Sequence, residues 1–463
     1  MNPLIFRKDD IRGVVYVDWD RDDLEAIGKA WGTWLLNKGE KTTVVGFDNR
    51  LTSEKFAASF TQGVLSTGTN VTDIKIGSTP LTYWSQNFLN VGGGAIITGS
   101  HTPPEWNGVK MIHRRRALHG QDIQELKEIT LKRNFSTGTG KLESKKVLEA
   151  YKSSILESIA KVRREYGGNP SLDKLHKIKV VTDCGNGVGG MILPDLLRRL
   201  DCEVVEIHSR SDGTFPNHFP NPALGVNILE LNYRVREEKA DLGIAVDGDV
   251  DRLNVIDNLG YVLWGDGVTM FLARDMLRAH PGCEILFNPE CSPALKDDVV
   301  AHGGVPTLVP TGHSLIQAQL VKSGGFFAGE YSGHIYYNDE YIGIDDAAYA
   351  ACRFIEILQR SDKPLAELMR DAPAYKSTGK IEIPAPDKEK YRIVEEVGKF
   401  FESRYFVDRL DGALIKFKNG LWGWALLRAS DNTPKLNLMA WAKDYDMLEK
   451  ITNEVMAKIQ FYL

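Results

Sequence analysis

The chain has 463 residues, 43% of them hydrophobic and 26% charged, with a formal net charge of −5. Such a composition describes a folded protein with ample core, and the length suggests about three domains. The acidic balance argues against nucleic acid as the main partner, and no run of about 18 uninterrupted apolar residues marks a membrane span.

The N-terminus, Met1 to Arg7, lacks the apolar stretch of a signal peptide, so a cytoplasmic location is expected. Thr43–Phe47 reads as a strand and Ser53–Leu65 as a helix with a serine cap. The apolar run Gly94–Ile97 then leads into Thr98-Gly99-Ser100-His101-Thr102-Pro103-Pro104, which continues to Lys110. A strand that delivers a serine, a histidine and a lysine to a tight loop can present a nucleophile; an ordinary polar turn is the alternative. Ile178–Thr182 and Glu203–Ile207 bracket a helix over 190–200. Between them, Gly185-Asn186-Gly187-Val188-Gly189-Gly190 fits G-x-G-x-x-G, with Glu203 or Glu206 at roughly the distance of a ribose-binding acid. A nicotinamide-dependent oxidoreductase is therefore one reading of this stretch.

Asp241–Val246 is another apolar strand, and it ends in Asp247-Gly248-Asp249-Val250-Asp251-Arg252. Three alternating carboxylates on a bent loop suit a hard divalent cation such as Mg²⁺, and Arg252 offers a planar fork for a phosphate. Glu284–Phe287 opens a third unit of the same kind. Gly324–Ala328 leads into Gly329-Glu330-Tyr331-Ser332-Gly333-His334, where Glu330, Ser332 and His334 can hold sugar hydroxyls. Pro364, Pro373, Pro384 and Pro386 mark a linker. Gly423–Leu427 then runs into Arg428-Ala429-Ser430-Asp431-Asn432-Thr433-Pro434, in which Arg428, Ser430, Asn432 and Thr433 combine phosphate-binding groups. The five cysteines, at 184, 202, 283, 291 and 352, form no Cys-x-x-Cys pair, which suggests a reducing compartment and no disulfide framework.

Four polar loops in order, each closing a strand, are hard to explain by chance. The ordered set resembles the α-D-phosphohexomutases, most closely the bacterial phosphomannomutase/phosphoglucomutase branch, from Phe6–Gly13 to the Arg428 loop. The family pattern T-[GA]-S-H-N-P-x-x-Y-N-G-x-K is met at most positions of 98–110, and D-G-D-x-D-R is met in full at 247–252. G-E-M-S-G-H is met at 329–334 except that Tyr331 replaces methionine, and Thr311-Gly312-His313-Ser314 matches a segment near the sugar.

The resemblance implies three tandem α/β domains of similar plan and a smaller C-terminal α+β domain around a central cleft, with boundaries at 1–145, 146–256, 257–368 and 369–463. It implies that Ser100 carries a phosphate and, with Asp247, Asp249 and Asp251, holds one Mg²⁺ per chain. Arg12 is expected near the phosphoserine. Lys110, His101, His313 and His334 are candidates for proton handling, and Arg252 joins the catalytic set. The expected reaction interconverts hexose 1-phosphate and hexose 6-phosphate, of mannose or glucose, through a 1,6-bisphosphate. Glucose 1,6-bisphosphate is the expected activator. The expected partner is a small sugar phosphate, without nucleic acid or membrane, on a monomer or weak dimer. A phosphatase using Asp247 as acceptor and a catalytically weak sugar-phosphate-binding homologue are the other readings.

Several positions depart from the family pattern. Asp9 replaces a tyrosine, Thr102 an asparagine, Glu290 and Pro310 lysines, and Asp431 an asparagine. A new carboxylate ~6 Å from a phosphate charge would cost about 3 kcal/mol at an effective dielectric of about 20. Substrate docking is therefore expected to be handicapped while the catalytic loops stay intact.

Overall fold

The apolar runs ahead of the four polar loops all form strands inside sheets. This computed structural model describes residues 1–166, 175–418, 422–430 and 434–463. In the first sheet Asn70–Ile76, Thr42–Phe47 and Gly93–Ile97 lie parallel, and Trp106–His113 returns antiparallel to the last of them. The second sheet repeats this with Glu203–Ile207, Lys179–Asp183 and Leu242–Val246, then the returning strand Leu253–Asp257. The third repeats it with Val305–Leu308, Glu284–Phe287 and Phe327–Gly329, then Ile335–Tyr337. Parallel neighbours need crossovers, and helices such as Ser53–Leu65, Leu229–Glu237 and His313–Ser323 supply them. Helices on both faces bury the central strands, so Gly93–Ile97 and Leu242–Val246 are wholly buried and apolar throughout.

The three copies share a core. One apolar cluster runs from Leu81 and Trp84 through Ile244 and Leu253 to Phe271 and Phe354. This shared packing fixes three strand-ending loops relative to one another. The C-terminal unit is an antiparallel sheet covered by the helices Lys390–Glu402 and Tyr445–Tyr462, with its own core of Ile393, Val397, Phe401, Leu436, Ile451 and Val455. It meets the third unit through a smaller apolar patch, in which Leu426, Met439 and Trp441 lie against Leu308 and Tyr331. The fold is thus three α/β units of one plan plus an α+β unit, as the sequence pattern implies.

Local details differ from expectation. Ser53 does not cap its helix; Thr52 takes the cap position, and the Ser53 hydroxyl donates to Asp48 Oδ1 at 2.5 Å instead. The strand expected from Gly324 begins at Phe327, because Gly324 ends the preceding helix in the left-handed region at φ 66°. The expected helix over 190–200 is a 3₁₀ turn, Val188–Met191, followed by Leu193–Arg199, since Pro194 suits a helix start. Pro384 is not linker; it ends the strand Ile381–Pro384 on the C-terminal sheet. All five cysteines are unpaired, and among the described residues no helix is long and apolar enough to cross a membrane.

Candidate active site

Ser100 is buried, next to His101 on the wall of a cleft, and is held in a conformation that serine rarely adopts. Its φ of 50° is in the left-handed region, which costs an L-residue roughly 1–2 kcal/mol. The surrounding loop enforces it. The Arg50 guanidinium donates to the carbonyls of Ser100, Thr102, Pro103 and Trp106 at 2.6–3.0 Å. Asp48 accepts from Thr98 Oγ1 at 2.8 Å and from the Gly99 amide at 3.1 Å. The Ser100 hydroxyl then donates to Asp247 Oδ2 at 2.8 Å and lies 3.1 Å from His101 Nδ1. Burial, then the charges of Arg252, Arg12 and Lys110, hold His101 well below the usual imidazole range. The ring is therefore neutral at neutral pH and able to accept a proton.

Asp247, Asp249 and Asp251 are fully buried, with ligand oxygens within 4.8 Å of one another. Val250, a β-branched residue between two of them, sits at φ 64°, a second strained point in the site. Thr79 donates to Asp249 Oδ2 at 2.6 Å, and the Thr98 hydroxyl oxygen lies 3.1 Å from the same oxygen. Lys110 Nζ is 2.8 Å from the same oxygen and also pairs with Asp251. Burial works against the Lys110 charge, but Asp249 and Asp251 outweigh it and keep the amine protonated. Arg12 and Arg252 add their charges from the rim, yet Asp249 Oδ1 and Asp251 Oδ1 have no hydrogen-bond partner among the described residues. Two buried, unsatisfied oxygens on hard ligands fit a divalent cation.

Above this floor opens a cleft of about 330 Å³. Arg12, His101, Lys110, Arg252, His313, Glu330, Ser332, His334, Arg428 and Ser430 all line it. Arg12 arrives on the strand Ile11–Val14, paired opposite Gly108 of the serine-loop return strand. Glu330 Oε1 accepts from the Gly312 amide at 3.2 Å, and burial pushes its carboxyl up. His334 Nδ1 lies 3.0 Å from Asp345 and 3.1 Å from the Asp251 carbonyl, while its Nε2 accepts from Arg252 Nε at 3.2 Å. Both His334 nitrogens are engaged, so this ring orients Arg252. Burial lowers the His313 pKa and keeps the ring neutral, and its Nε2, which has no hydrogen-bond partner among the described residues, is the more accessible nitrogen for a proton. Asn432 and Thr433, with Asp431, lie outside the described residues.

Glu290 is not an isolated new charge. It is buried with Oε1 3.0 Å from both Arg428 Nη1 and Lys380 Nζ. Burial alone would raise its carboxyl, but Lys380 and Arg428 more than offset this and hold it below the usual range. Arg428 Nε is also 2.8 Å from Asp411, which accepts the Thr311 amide at 2.9 Å. Two carboxylates thus grip the guanidinium expected to dock phosphate. Asp9 accepts from Ser314 Oγ at 2.6 Å, so it too is engaged at the rim of the cleft.

Sequence reasoning missed Asp48, Arg50, Thr79 and Lys380. Asp48-Asn49-Arg50 does close a strand, Thr42–Phe47, and that position was the available signal. The glycine-rich turn at 185–190 packs protein against protein. A Cβ on Gly187 would fall 2.6 Å from the Gly248 carbonyl, and one on Gly190 would fall 1.8 Å from the Ser209 carbonyl. The close approach serves the neighbouring loops, not a dinucleotide.

Comparison with known proteins shows the family. The family described as phosphoglucomutase/phosphomannomutase, alpha/beta/alpha domains I, II and III, matches residues 3–137, 156–260 and 264–375. A phosphomannomutase/phosphoglucomutase of Pseudomonas aeruginosa is 35% identical over 448 residues, covering 96% of this chain and 93% of that protein. A phosphoglucomutase of Neisseria meningitidis serogroup A is 33% identical over 461 residues, covering 98% and 96%. The crystal structure of a phosphoglucomutase/phosphomannomutase family protein from Burkholderia thailandensis superposes with a TM-score of 0.88 at 31% identity, covering 100% of this chain and 98% of that one. The chain belongs to the phosphoglucomutase/phosphomannomutase family.

Proposed function

We infer that the protein is a phosphohexomutase that interconverts hexose 1-phosphate and hexose 6-phosphate, of mannose and glucose, by way of a phosphorylated Ser100. The observation that carries this is the strained, buried Ser100, hydrogen-bonded to one of three carboxylates beneath a cleft that opens on Arg428. A phosphatase acting through Asp247 would leave that serine without a role. Intact-mass analysis before and after incubation with glucose 1,6-bisphosphate, the proposed activator, tests the reading: one added phosphoryl group on Ser100 supports it.

Asp247, Asp249 and Asp251 would hold Mg²⁺, which supplies charge neutralisation at the transferring phosphoryl group. The remaining work falls to the chain's own groups. Arg428 and Ser430 receive the distal phosphate, while Glu330 and Ser332 hold sugar hydroxyls. A sugar hydroxyl attacks the Ser100 phosphate in line: one P–O bond forms as the bond to Ser100 Oγ breaks, the hydroxyl proton passes to a neutral acceptor, His313 being placed for it, and the leaving Oγ picks up a proton from solvent in the cleft. The bisphosphate turns over in the cleft. On return, Ser100 Oγ attacks the other phosphate, and His101 is placed to take the serine proton. Arg12, Lys110 and Arg252 stay cationic around the transferred group.

Glu330→Ala should lower kcat/KM for mannose and glucose phosphates alike, by about 1–3 kcal/mol of transition-state binding. Steady-state kinetics on both sugars checks this, and unchanged values would remove Glu330 from sugar recognition. Glu290→Gln should free Arg428 and Lys380 from one carboxylate. A tenfold fall in KM, about 1.4 kcal/mol, is expected, with the largest gain at low salt. An unchanged KM would mean that the phosphate docks away from Arg428.

A further inference from the structure

Asp183, His208 and His218 form a cluster outside the cleft whose hydrogen bonds do not balance. Asp183 ends the buried strand Lys179–Asp183. His208 follows Glu203–Ile207, and His218 lies in the loop leading to Pro220. His208 Nδ1 is 3.2 Å from Asp183 Oδ1, and its Nε2 is 3.3 Å from Glu230 Oε2. His218 Nε2 is 3.1 Å from Asp183 Oδ2, and its Nδ1 is 2.8 Å from the Phe219 carbonyl. All four ring nitrogens therefore face oxygen acceptors. Two neutral imidazoles carry only two N–H groups, so two contacts set a nitrogen lone pair against an oxygen lone pair. Either two extra protons or one cation among the inward atoms would resolve the conflict.

The cluster is compact enough for the cation. The inward atoms of the three residues lie within 4.8 Å of one another. Each inward ring nitrogen faces its own carboxylate oxygen, His208 Nδ1 at 3.2 Å from Asp183 Oδ1 and His218 Nε2 at 3.1 Å from Asp183 Oδ2, so both oxygens are within reach of an ion held between the rings. The outward nitrogens would keep their protons and donate to Glu230 and to the Phe219 carbonyl, which is how metal-bound histidines are usually oriented. Two imidazoles and a carboxylate suit Zn²⁺ rather than Mg²⁺.

We propose that Asp183, His208 and His218 bind a second metal ion, Zn²⁺, at a site separate from Asp247, Asp249 and Asp251. The two sites are neighbours. Asp183 Oδ1 also accepts the Gly185 amide at 2.9 Å, and the turn that follows donates from Val188 to the Gly248 carbonyl at 3.1 Å. A cation on Asp183 therefore anchors the turn on which the carboxylate loop rests. Its role is structural.

The test is a Co²⁺ titration of the full-length protein in excess Mg²⁺, read by visible absorption and by metal content after dialysis. One equivalent with the intense bands of four-coordinate, histidine-bound cobalt is expected, distinct from the faint bands of an octahedral oxygen site. His208→Gln and His218→Gln should each lose those bands, whereas Asp247→Asn should keep them. Glu230→Gln alters an exposed side chain and should weaken binding about tenfold by loosening His208. Absence of the bands in the unaltered protein overturns the proposal, as does their survival in both histidine variants. Nitrogen NMR showing both rings as imidazolium at neutral pH with no bound cobalt overturns it in favour of the two-proton solution.

Discussion

Ser100→Ala is expected to lose roughly 10⁴-fold or more in kcat, the scale on which removing an obligatory nucleophile acts. The same variant should accept no phosphoryl group from glucose 1,6-bisphosphate, read by intact mass and peptide mapping. The loss would be chemical, because the loop is held by groups that the substitution leaves alone: Arg50 on four carbonyls, and Asp48 on Thr98 and Gly99. Ser100→Gly sharpens the comparison. Glycine relieves the roughly 1–2 kcal/mol of left-handed strain at φ 50° while costing about 0.5–1 kcal/mol in chain entropy. It should therefore be at least as stable as the parent in thermal melts and as inactive as the alanine variant. A fully active Ser100→Ala protein would remove the serine from the mechanism.

The loops were legible because each follows a short apolar run, and a buried strand that stops at polar residues must present them at a sheet edge. That logic located Ser100, Asp247, Glu330 and Arg428 within one family pattern. It could not see Arg50, whose role is to bind main-chain carbonyls around residues 50 or more positions away. Glu290 was readable as a departure, but its meaning lay in Lys380 and Arg428, brought together only by docking of the C-terminal unit. The same holds for Asp183, His208 and His218, separated by up to 35 positions and joined by the parallel pairing of two strands and one loop. The glycine run at 185–190 was legible as a tight turn but not as a support, since the atoms it makes room for belong to the neighbouring loops. Helix caps failed more locally: Ser53 had a stronger partner in Asp48 than in its own helix.

Removing divalent cations should abolish turnover, and adding Mg²⁺ should restore it. Asp247, Asp249 and Asp251 are buried around one ammonium, Lys110, and two of their oxygens lack any hydrogen-bond partner among the described residues. Burial, and then repulsion from Asp251 and Asp249, pushes the Asp247 carboxyl well above its usual range when no cation is present. The sign follows. A carboxyl raised in the folded state favours the protonated form, so without a cation the folded protein loses stability as pH rises through that carboxyl's titration. A cation must displace the proton, so Mg²⁺ affinity should increase over the same pH interval. At 100 times its dissociation constant the cation would add about 2.7 kcal/mol to stability, visible as a raised Tm that grows with Mg²⁺ concentration. Asp249→Asn should flatten that concentration dependence and lose turnover together, because the amide cannot supply the missing charge. Calorimetry across pH with and without Mg²⁺, paired with a coupled mutase assay, checks both signs. Full turnover in excess chelator, with metal shown to be absent, would mean that Lys110, Arg12 and Arg252 balance the site and that phosphoryl transfer here needs no metal ion.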